Sequence, residues 1–419
     1  MMTYPESVEF LYALGNEMRT AKLGLERIGR LLAALGHPDR AFRAVHVAGT
    51  NGKGSTCAMI ESALRLAGHP TGLYTSPHLV QPTERIRVGG EAVSREAFAE
   101  AFERVHRAVE DWETHPSYFE TVTAMAFLLF REAGVERAVI EVGLGGRLDA
   151  TNVIQPELCV ITPVDLDHEA WLGSSIEAIA EEKAGILKPG VEAVVAEQRP
   201  EARERILTIA AEVGSPVVET REREVGELEL HAQGCRFQAA GGGRVLEVEC
   251  RLPGEHQVTN ALTAAVALDH LGVSRECIKR GIREAVWPGR MERVASSPDI
   301  ILDGAHNPAG VRALAAYIRR FYRDRTVWLI YGTMRDKSVG EIGDLLWPLA
   351  SRLIVTAPDS PRALRPAALL EMVAHPRAQV AARLADALEL AREQAAPGDV
   401  IFVTGSLFLV GEARALLVE

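Results

Sequence analysis

The sequence predicts an α/β protein of two domains, each with a mostly parallel sheet covered by helices. Its 419 residues are too many for one ordinary hydrophobic core, because a domain usually holds about 100–200 residues. Short apolar runs that are typical of buried strands alternate with helical patterns, as at 120–132, 138–142 and 158–162. This alternation predicts parallel strands joined by helices, and it begins a second time near Asp299.

The first predicted domain covers residues 1–295. A helical segment at 7–35, broken near Gly15, precedes the first strand. The predicted strands are 44–48, 138–142, 158–162 and 193–196, and the predicted helices are 55–67, 120–132, 175–185, 200–213 and 258–271. Between 216 and 252 the pattern changes to short alternating segments separated by glycines, which predicts a small antiparallel appendage.

The second predicted domain, residues 299–419, is smaller and Rossmann-like. Pro288 and Gly289, followed by the polar segment 296–298, indicate the linker that precedes it. Its predicted strands are 300–302, 327–331, 353–356 and 400–404, and its predicted helices are 310–321, 339–349, 382–394 and 412–417.

Composition and charge exclude several classes of protein. Hydrophobic residues make up 47% and charged residues 25%, as in ordinary globular chains. A net charge of −11 gives no overall attraction to nucleic acid or to an anionic membrane, and we expect neither partner. The N-terminus lacks the pattern of a secretory signal, and five scattered cysteines favour reduced thiols. We therefore expect a cytoplasmic protein.

The most informative motif is the glycine-rich loop at 46–56. It lies between a predicted strand and a predicted helix, where backbone N–H groups and the helix end can bind phosphate. Lys53 can reach the terminal phosphates, and Ser55 or Thr56 can bind Mg²⁺. Val47 replaces the first glycine of the usual P-loop pattern, and Gly54 separates Lys53 from Ser55. A glycine turn with an incidental lysine is the alternative; we favour a P-loop ATPase-like domain that binds a nucleoside triphosphate.

The predicted phosphate loop is followed by polar residues that could complete a site. Glu141 ends a predicted strand, at the sheet edge where open α/β folds bind ligands, and could bind Mg²⁺ or cap the next loop. His168 follows the strand at 158–162, although a lone histidine is more often structural. Lys183 lies on a predicted helix, where sequence alone assigns it to the solvated face. In the second domain, Asp303 and His306 lie between a strand and a helix.

Several motifs, spread over nearly the whole chain, resemble those of folylpolyglutamate synthases and dihydrofolate synthases, which belong to the Mur ligase superfamily. These motifs are Gly24-Leu25-Glu26-Arg27-Ile28, Gly49-Thr50-Asn51-Gly52-Lys53-Gly54-Ser55-Thr56, Tyr74-Thr75-Ser76-Pro77-His78-Leu79, Glu84-Arg85-Ile86, Glu141-Val142-Gly143-Leu144-Gly145-Gly146-Arg147-Leu148-Asp149-Ala150-Thr151-Asn152, Leu166-Asp167-His168, Glu182-Lys183-Ala184-Gly185-Ile186, Asp303-Gly304-Ala305-His306-Asn307-Pro308 and Thr404-Gly405-Ser406-Leu407.

The resemblance implies an ATP-dependent ligase that releases ADP and phosphate. Phosphorylation of a carboxylate makes an acyl phosphate, which the amino group of L-glutamate attacks to form an amide. The acid would be 7,8-dihydropteroate, a reduced folate that already carries glutamate, or both. Arg147-Leu148-Asp149-Ala150 is closer to bifunctional bacterial enzymes, whereas Lys22 departs from their pattern.

The resemblance also implies a role for individual residues. Ser76 and Glu141 would bind one Mg²⁺, and His168 and Lys183 a second, with Lys183 carbamylated by CO₂. The whole loop from Gly49 to Thr56 would bind ATP, with Lys53, Lys183 and His306 in catalytic roles and His306 near the transferred phosphate. The further residues implied in ATP binding are Asn260, Arg290 and Asp303. They come from both predicted domains, so that domain closure is expected to assemble the site.

The implied substrate contacts fall into two groups. The contacts with the pterin acid are Leu23, Phe119, Glu120, Leu148, Asp149 and Ala150, in which Phe119 would stack on the pterin or, alternatively, belong to the apolar face of its helix. Ser406 would contact the carboxylate of the incoming L-glutamate. Asp336-Lys337-Ser338 departs from the family, which often has a second acid after the lysine. By analogy with the family we expect a monomer.

Two other functions are compatible with parts of the sequence. A Mur-type cell-wall amide ligase shares the ATP loop, but the chain has a dihydrofolate-type Thr75-Ser76-Pro77 loop and no separate nucleotide-sugar domain. A regulatory module that binds ATP without ligation is the second alternative. Against a degenerate site of that kind stands the presence together of Glu141, His168, Lys183, Asp303 and His306.

Overall fold

The computed structural model describes residues 2–15, 24–335 and 339–418. The chain forms two compact units. The first comprises Met1–Glu227, Phe237–Glu249 and Thr259–Ala285, and the second comprises Leu228–Arg236, Cys250–Val258 and Val286–Glu419. The sequence predicts the division at 295–299, whereas the units divide after Ala285. Residues 286–295, which the sequence assigned to the first domain, belong to the second unit, because the strand Glu292–Ala295 is part of its sheet.

An eight-stranded sheet forms the centre of the first unit. Its strands are β1 (Arg43–Ala48), β2 (Thr71–Tyr74), β3 (Ile86–Val88), β4 (Glu91–Ala92), β5 (Arg137–Glu141), β6 (Leu158–Ile161), β7 (Ala193–Val195) and β8 (Val217–Glu219). Their order is β4-β3-β2-β5-β1-β6-β7-β8. All pairs are parallel except β2–β3 and β3–β4, so the predicted mostly parallel sheet is confirmed.

Helices cover this sheet and bury the apolar faces that the sequence predicted. They are α1 (Tyr4–Ala13), α2 (Glu26–Ala34), α3 (Lys53–Leu66), α4 (Arg95–Ala108), α5 (Tyr118–Glu132), α6 (Glu169–Leu172), α7 (Ile176–Ala184), α8 (Pro200–Val213), α9 (His256–His270) and α10 (Arg275–Glu284). Short 3₁₀ helices lie at Pro38–Arg40, Pro82–Arg85, Ala150–Val153 and Thr220–Glu222. Helix α3 is almost wholly buried and packs closely on α10, where Gly281 lies against Ala63.

The predicted antiparallel appendage is a three-stranded sheet. Its strands, β9 (Glu224–His231), β10 (Gly234–Gly241) and β11 (Arg244–Cys250), lie in the order β11-β10-β9. Gly242 and Gly243 both have positive φ, at 57° and 73°, which is the conformation required in a two-residue hairpin turn. Phe237 and Val248 are buried on one face of this sheet, while Arg236 is exposed on the other.

The second unit has a six-stranded sheet in the order β12-β13-β17-β14-β15-β16. Only β12 is antiparallel to its neighbour. The strands are β12 (Glu292–Ala295), β13 (Asp299–Asp303), β14 (Val327–Tyr331), β15 (Arg352–Val355), β16 (Ala378–Val380) and β17 (Val400–Thr404). The helices are α11 (Pro308–Phe321), α12 (Val339–Leu346), α13 (Pro366–Glu371), α14 (Leu384–Gln394) and α15 (Leu407–Leu417), with a 3₁₀ helix at Trp347–Leu349.

Two details of the second unit differ from the sequence prediction. The last helix begins at Leu407 rather than at 412, because Ser406 caps it directly after β17. Strand β12 was not predicted, because its burial is only partial and its four residues include Glu292 and Arg293. Across both units, none of the helices in the described residues is long and apolar enough to cross a membrane.

Candidate active site

The glycine-rich loop connects β1, in the interior of the first sheet, to α3. Gly49 and Gly52 have φ of 147° and 90°, in the region that favours glycine. A Cβ atom at Gly49 would collide with the hydroxyl of Thr162, and one at Gly52 with the side-chain amide of Asn260. Buried Asn260, on α9, which the resemblance assigned to ATP binding, therefore packs directly against the phosphate loop.

Lys53 is the first residue of α3, and its side chain folds back over the loop. Its Nζ donates hydrogen bonds of 3.1 Å to the carbonyl oxygens of Gly49 and Thr50. The ammonium group thus lies beside the N-terminus of a 14-residue helix, where anions are stabilised by the free N–H groups and by the helix dipole. The geometry is that of a phosphate-binding loop, as the sequence predicted.

The remaining polar residues of the loop either form hydrogen bonds with the segment after β6 or are buried at the start of α3. The Thr50 hydroxyl donates to the backbone oxygen of Asp165 at 2.9 Å and accepts from its amide at 3.0 Å. The amides of Thr50 and Asn51 donate to Pro163 O. Ser55 and Thr56 are buried at the start of α3, and Thr56 Oγ1 has no hydrogen-bond partner among the described residues. Thr50 therefore joins the phosphate loop to the segment that follows β6.

The two residues predicted to bind the first Mg²⁺ lie together. Glu141 ends β5, the parallel neighbour of β1, and is paired in register with Val47 just before the phosphate loop. Its carboxylate is buried, and Oε2 accepts a 3.0 Å hydrogen bond from the amide of Ser76. The sheet therefore presents Glu141 at the carboxyl edge of the strand next to the phosphate loop.

Lys183 is buried on α7, which corrects its assignment from sequence alone to a solvated face. Burial, reinforced by repulsion from Lys53, lowers the pKa of Lys183 from 10.5 to about 7. Asp167, Asp149 and Glu182 oppose this shift by attraction. A substantial fraction of this amine is consequently neutral near pH 7, and the neutral form is the one that reacts with CO₂.

His168 lies directly before α6 with a φ of 53°. Its backbone amide donates to Asp167 Oδ1 at 2.9 Å, and its ring Nε2 lies 3.9 Å from Asp167 Oδ2. Because Asp167 also attracts Lys183, this carboxylate connects the two residues predicted for the second metal. No role for Asp167 was predicted from the sequence, although it lies inside a motif that carried the family resemblance.

The segment between Glu141 and Asn152 packs tightly on α7. A Cβ at Gly146 would lie 2.6 Å from Glu182 O and 3.1 Å from Lys183 Cα, and a Cβ at Gly185 would collide with Arg147. The Arg147 amide donates to Glu182 O at 2.8 Å, and its guanidinium pairs with the Glu182 carboxylate. The glycines of both motifs therefore allow the loop after Glu141 to lie directly against the helix of Lys183.

Asp149 uses its carboxylate within this loop. Oδ2 accepts from the amides of Gly143 and Leu144 at 3.1 and 2.9 Å, and Oδ1 accepts from the amide and hydroxyl of Thr151 at 3.0 and 2.5 Å. The pKa of Asp149 is raised above its ordinary value, because the effect of burial outweighs these hydrogen bonds, which lower it. Since a carboxylate accepts about four hydrogen bonds, the expected pterin hydrogen bond to Asp149 would require one of these to be exchanged.

The other residues predicted to contact the pterin acid have different surroundings. Phe119 is half-buried, lies against Gly143 and has its ring centroid 6.0 Å from that of Tyr74. Buried Glu120 accepts from Arg27 Nε at 2.8 Å and from the amide and hydroxyl of Ser117 through Oε2. Its Oε1 has no partner among the described residues.

Three further residues were predicted to contact the pterin acid, and the structure describes two of them. Leu148 is half-buried, and Ala150 belongs to the apolar core of the first unit. Leu23 lies outside the described residues, as do Lys22 and the Asp336-Lys337-Ser338 segment.

In the second unit, three predicted residues surround the carboxyl end of β13. Buried Asp303 accepts 3.0 Å hydrogen bonds from the amides of Met291 and Ala305. Burial raises its pKa, and the charge of Arg290 opposes the shift. A ring nitrogen of His306 lies 2.8 Å from Gly304 O. Arg290, Asp303 and His306 thus lie around the same strand end.

Ser406 caps α15 at the carboxyl end of β17, which lies between β13 and β14. Its Oγ accepts a 3.2 Å hydrogen bond from the amide of Phe408. Because that bond uses the oxygen as an acceptor, the hydroxyl hydrogen can still be donated to a carboxylate.

The donor set in the first unit fits Mg²⁺. Among the described residues, no three His, Cys, Asp or Glu side chains converge as a ready-made metal site. Mg²⁺ is usually bound through one or two carboxylates together with substrate phosphates and water, so a single buried Glu141 beside the phosphate loop suits it. Lys183 can become a hard oxygen ligand only after carbamylation.

Two family models match the chain in order. "Mur ligase middle domain" matches residues 47–268, and "Mur ligase, glutamate ligase domain" matches residues 289–407. The Bacillus subtilis dihydrofolate synthase/folylpolyglutamate synthase is 35% identical over 94% of this chain and 95% of its own length. A probable bifunctional folylpolyglutamate synthase/dihydropteroate synthase of Haloferax volcanii is 36% identical, but this chain spans only 50% of its length.

Solved structures agree over nearly the entire chain. The Escherichia coli FolC protein in complex with DHPP and ADP has a TM-score of 0.90 and 32% identity, with coverage of 99% of this chain and 97% of the other. The Yersinia pestis bifunctional folylpolyglutamate synthase/dihydrofolate synthase, with AMPPNP and a manganese ion, has a TM-score of 0.87 and 31% identity, with coverage of 100% and 99%. The chain therefore belongs to the Mur ligase family, in its branch of folylpolyglutamate and dihydrofolate synthases, which are ATP-dependent ligases.

Proposed function

We propose that this protein uses ATP and Mg²⁺ to join L-glutamate to a pterin-containing acid, either dihydropteroate or the glutamate tail of a reduced folate. One observation carries the proposal most directly. The buried amine of Lys183 lies close enough to Lys53 of the phosphate loop to have its pKa lowered by charge repulsion, and it is attracted by Asp167. A phosphate loop alone suits many functions, whereas a neutral buried lysine beside it suits a ligase whose lysine is carbamylated.

Ser76 and Glu141 would hold one Mg²⁺, and His168 together with a carbamate on Lys183 would hold the second. The metal ions would neutralise charge on the transferring phosphate. The carbamate forms when the neutral amine attacks CO₂ and loses a proton, which makes the side chain anionic. Arginine stays protonated and cannot replace lysine in this step.

The reaction needs the acid to be activated because a carboxylate is a poor electrophile. A carboxylate oxygen attacks the γ-phosphorus and ADP leaves, so that an acyl phosphate forms. The amino nitrogen of L-glutamate then attacks the carbonyl carbon, loses a proton, and phosphate leaves. Lys53 and the loop amides from Gly49 to Thr56 stabilise the phosphate charge, so positioning and electrostatics provide most of the rate enhancement.

The remaining residues are assigned to binding. Asn260, Arg290 and Asp303 would contact the nucleotide, and His306 would lie near the transferred phosphate. Phe119, Glu120, Leu148 and Ala150 would contact the pterin acid, and Glu120 Oε1 is a buried acceptor for a pterin N–H group. Asp149 would shape this pocket mainly through its loop. Ser406 would donate its hydroxyl hydrogen to the carboxylate of L-glutamate.

We further propose that the protein acts in the cytoplasm as a monomer. The free thiols support a reducing compartment, since none of the five cysteines forms a disulfide.

The deciding experiment measures ADP release with Mg²⁺ and L-glutamate while dihydropteroate and tetrahydrofolate are supplied in parallel, with products identified by mass. Activity with both acids supports a bifunctional enzyme, and activity with one assigns the narrower role. ADP release that depends on neither acid would overturn the folate assignment. The absence of any glutamate-dependent ADP release would favour a regulatory module.

A separate test addresses the carbamate. Enzyme prepared in CO₂-free buffer should lose activity and regain it on addition of bicarbonate. Lys183→Arg should show no such response. Equal activity with and without CO₂, in an enzyme that turns over normally, would contradict carbamylation while leaving the ligase assignment intact.

A further inference from the structure

We propose that His46 and Thr151 are positioning residues, which act through Asp149 to hold the loop after Glu141 against the helix of Lys183. No role for either side chain was predicted from the sequence, although His46 lies three residues before Gly49 of the phosphate loop and Thr151 lies near the end of the Glu141–Asn152 motif. Both are wholly buried, and both belong to the first unit. The inference rests on the proposed metal sites at Glu141 and Lys183.

Hydrogen-bond directions in this cluster follow from its chemistry. The Thr151 hydroxyl lies 2.5 Å from Asp149 Oδ1, and an ionised carboxylate can only accept, so the hydroxyl donates its hydrogen there. The Thr151 oxygen therefore accepts from His46 Nε2, which lies 2.9 Å away. His46 must be the tautomer with a hydrogen on Nε2, and its Nδ1 has no partner among the described residues.

His46 is suited to this role because it stays neutral. Burial, reinforced by repulsion from Lys188, lowers its pKa to about 3. A neutral imidazole provides one N–H donor in the interior of the sheet without introducing a charge. Strand β1 thus carries the donor to Thr151, and the phosphate loop starts three residues after that donor, at Gly49.

From Asp149 the connection continues to the helix of Lys183. The Asp149 carboxylate accepts from the amides of Gly143 and Leu144, two and three residues after Glu141 at the end of β5. On the other side, Asn152 Nδ2 donates 3.0 Å hydrogen bonds to Arg147 O and Gly185 O. Asn152 Oδ1 in turn accepts from Lys188 Nζ at 2.8 Å.

This arrangement fixes the loop at both ends. Asp149 holds its beginning at Gly143, and Asn152 fastens Arg147 to the end of α7, two residues beyond Lys183. If the Thr151 hydroxyl is removed, Asp149 loses a donor and the His46 N–H group loses its acceptor. Both losses occur in the interior, where an unpaired polar group is costly. The loop is then expected to shift, which would change the position of Glu141 relative to Lys183.

The test uses two pairs of variants in the full-length protein. Thr151→Val removes the hydroxyl with little change in shape, and Thr151→Ser restores it. His46→Leu removes the donor, and His46→Gln keeps an N–H group near the position of Nε2. Mn²⁺ binding is measured by electron paramagnetic resonance in the presence of a nonhydrolysable ATP analogue. Turnover and the KM for L-glutamate are measured in parallel.

We expect Thr151→Val to weaken Mn²⁺ binding about 10- to 100-fold, the usual effect of removing a group that orients a metal ligand. Turnover should fall with it, whereas the KM for L-glutamate should not change, because Ser406 belongs to the second unit. Thr151→Ser and His46→Gln should restore most of the Mn²⁺ affinity. Normal Mn²⁺ binding by folded Thr151→Val, or equal defects in Thr151→Ser and Thr151→Val, would overturn the proposal.

A double-mutant cycle shows whether His46 and Thr151 act through one series of hydrogen bonds or whether the two substitutions cause independent packing defects. If His46 and Thr151 act through the same hydrogen bonds, the double variant should bind Mn²⁺ little worse than Thr151→Val alone. Additive losses would contradict the proposal. If Thr151→Val does not fold, His46→Leu and His46→Gln decide the question by the same Mn²⁺ measurement. Failure of the ligase assay with folate substrates would leave these metal-binding results unaffected.

Discussion

The amide of Ser76 donates a 3.0 Å hydrogen bond to Oε2 of Glu141, which joins the two residues expected at the first metal site. They are 65 residues apart in the chain. The contact forms because β2, which precedes Ser76, and β5, which ends with Glu141, are parallel neighbours in the sheet. This hydrogen bond holds the carboxylate of Glu141 in a fixed orientation.

Glu141→Gln tests this relationship. The amide oxygen of glutamine can still accept from Ser76, so the fold should be retained, but the negative charge is lost. We expect Mg²⁺ or Mn²⁺ binding with nucleotide to weaken about 10- to 100-fold, measured by titration, with little change in the melting temperature. Glu136→Gln, at the exposed opposite end of β5, is the control. Unchanged metal affinity in Glu141→Gln would remove Glu141 from the site.

Gly52 and Gly68 provide a matched pair at the two ends of α3. Their φ angles are 90° and 91°, so alanine is strained similarly at both. Only at Gly52 would the new Cβ collide with a neighbour, the side chain of Asn260. Gly68→Ala should cost about 1–2 kcal/mol of stability from the backbone alone, whereas Gly52→Ala should also abolish nucleotide binding. Thermal unfolding and ATP titration check this, and equal ATP affinity in both variants would contradict it.

The pKa of Lys183 predicts a dependence of stability on pH. The folded-state pKa, about 7, lies below the ordinary value of 10.5, so the unfolded chain binds more protons between these values. Stability should therefore rise with pH across this window in enzyme free of CO₂ and nucleotide. Lys183→Met removes the cost of burying a protonated amine. The variant should therefore be more stable than the unchanged protein below pH 7, by on the order of a few kcal/mol, and this difference should fade by pH 10.

Denaturant unfolding of both proteins from pH 6 to pH 10 gives that difference directly. Because other titrating groups are common to both chains, they largely cancel in the comparison. If the difference in unfolding free energy between Lys183→Met and the unchanged protein is the same at every pH, then folding does not lower the pKa of Lys183.

Lys53→Ala should lower turnover about 10²–10³-fold, as expected when one electrostatic donor to the transferring phosphate is removed. Among the described residues, Lys53 Nζ donates to the loop carbonyls of Gly49 and Thr50, so a large loss of stability is not expected. Single-turnover ADP formation at saturating ATP checks this. Lys279→Ala, which removes a partly exposed lysine paired with Glu247, is the control and should turn over normally.

Ser406→Ala separates helix capping from substrate binding. Ser406 and Ser274 both cap helices, α15 and α10, by accepting an amide hydrogen bond. Each alanine variant should lose about 1 kcal/mol of stability. Only Ser406→Ala should raise the KM for L-glutamate, with the KM for ATP unchanged. Steady-state kinetics on the two variants distinguish the roles, and equal KM values for L-glutamate would assign Ser406 to capping alone.

Much of the molecule was predictable because local patterns and tertiary structure agree. The apolar run ending at Ala48, the glycines that follow and the periodicity of α3 predict a strand, a tight loop and a helix without reference to distant residues. Likewise Glu141 and Asp303 were identified because each follows a buried parallel strand, and such strands place their carboxyl ends at one sheet edge. The order of motifs was enough to indicate the family.

Tertiary structure decided what depends on residues far apart in the chain. The helical pattern around Lys183 is compatible with a solvated face, whereas in the folded protein the side chain is buried and burial, with repulsion from Lys53, lowers the pKa of its amine. Asp149 was expected to bind the pterin, yet its carboxylate is occupied by the loop and Thr151. Sequence determines which groups are available, whereas burial and charge, which set their chemistry, arise only when distant segments meet.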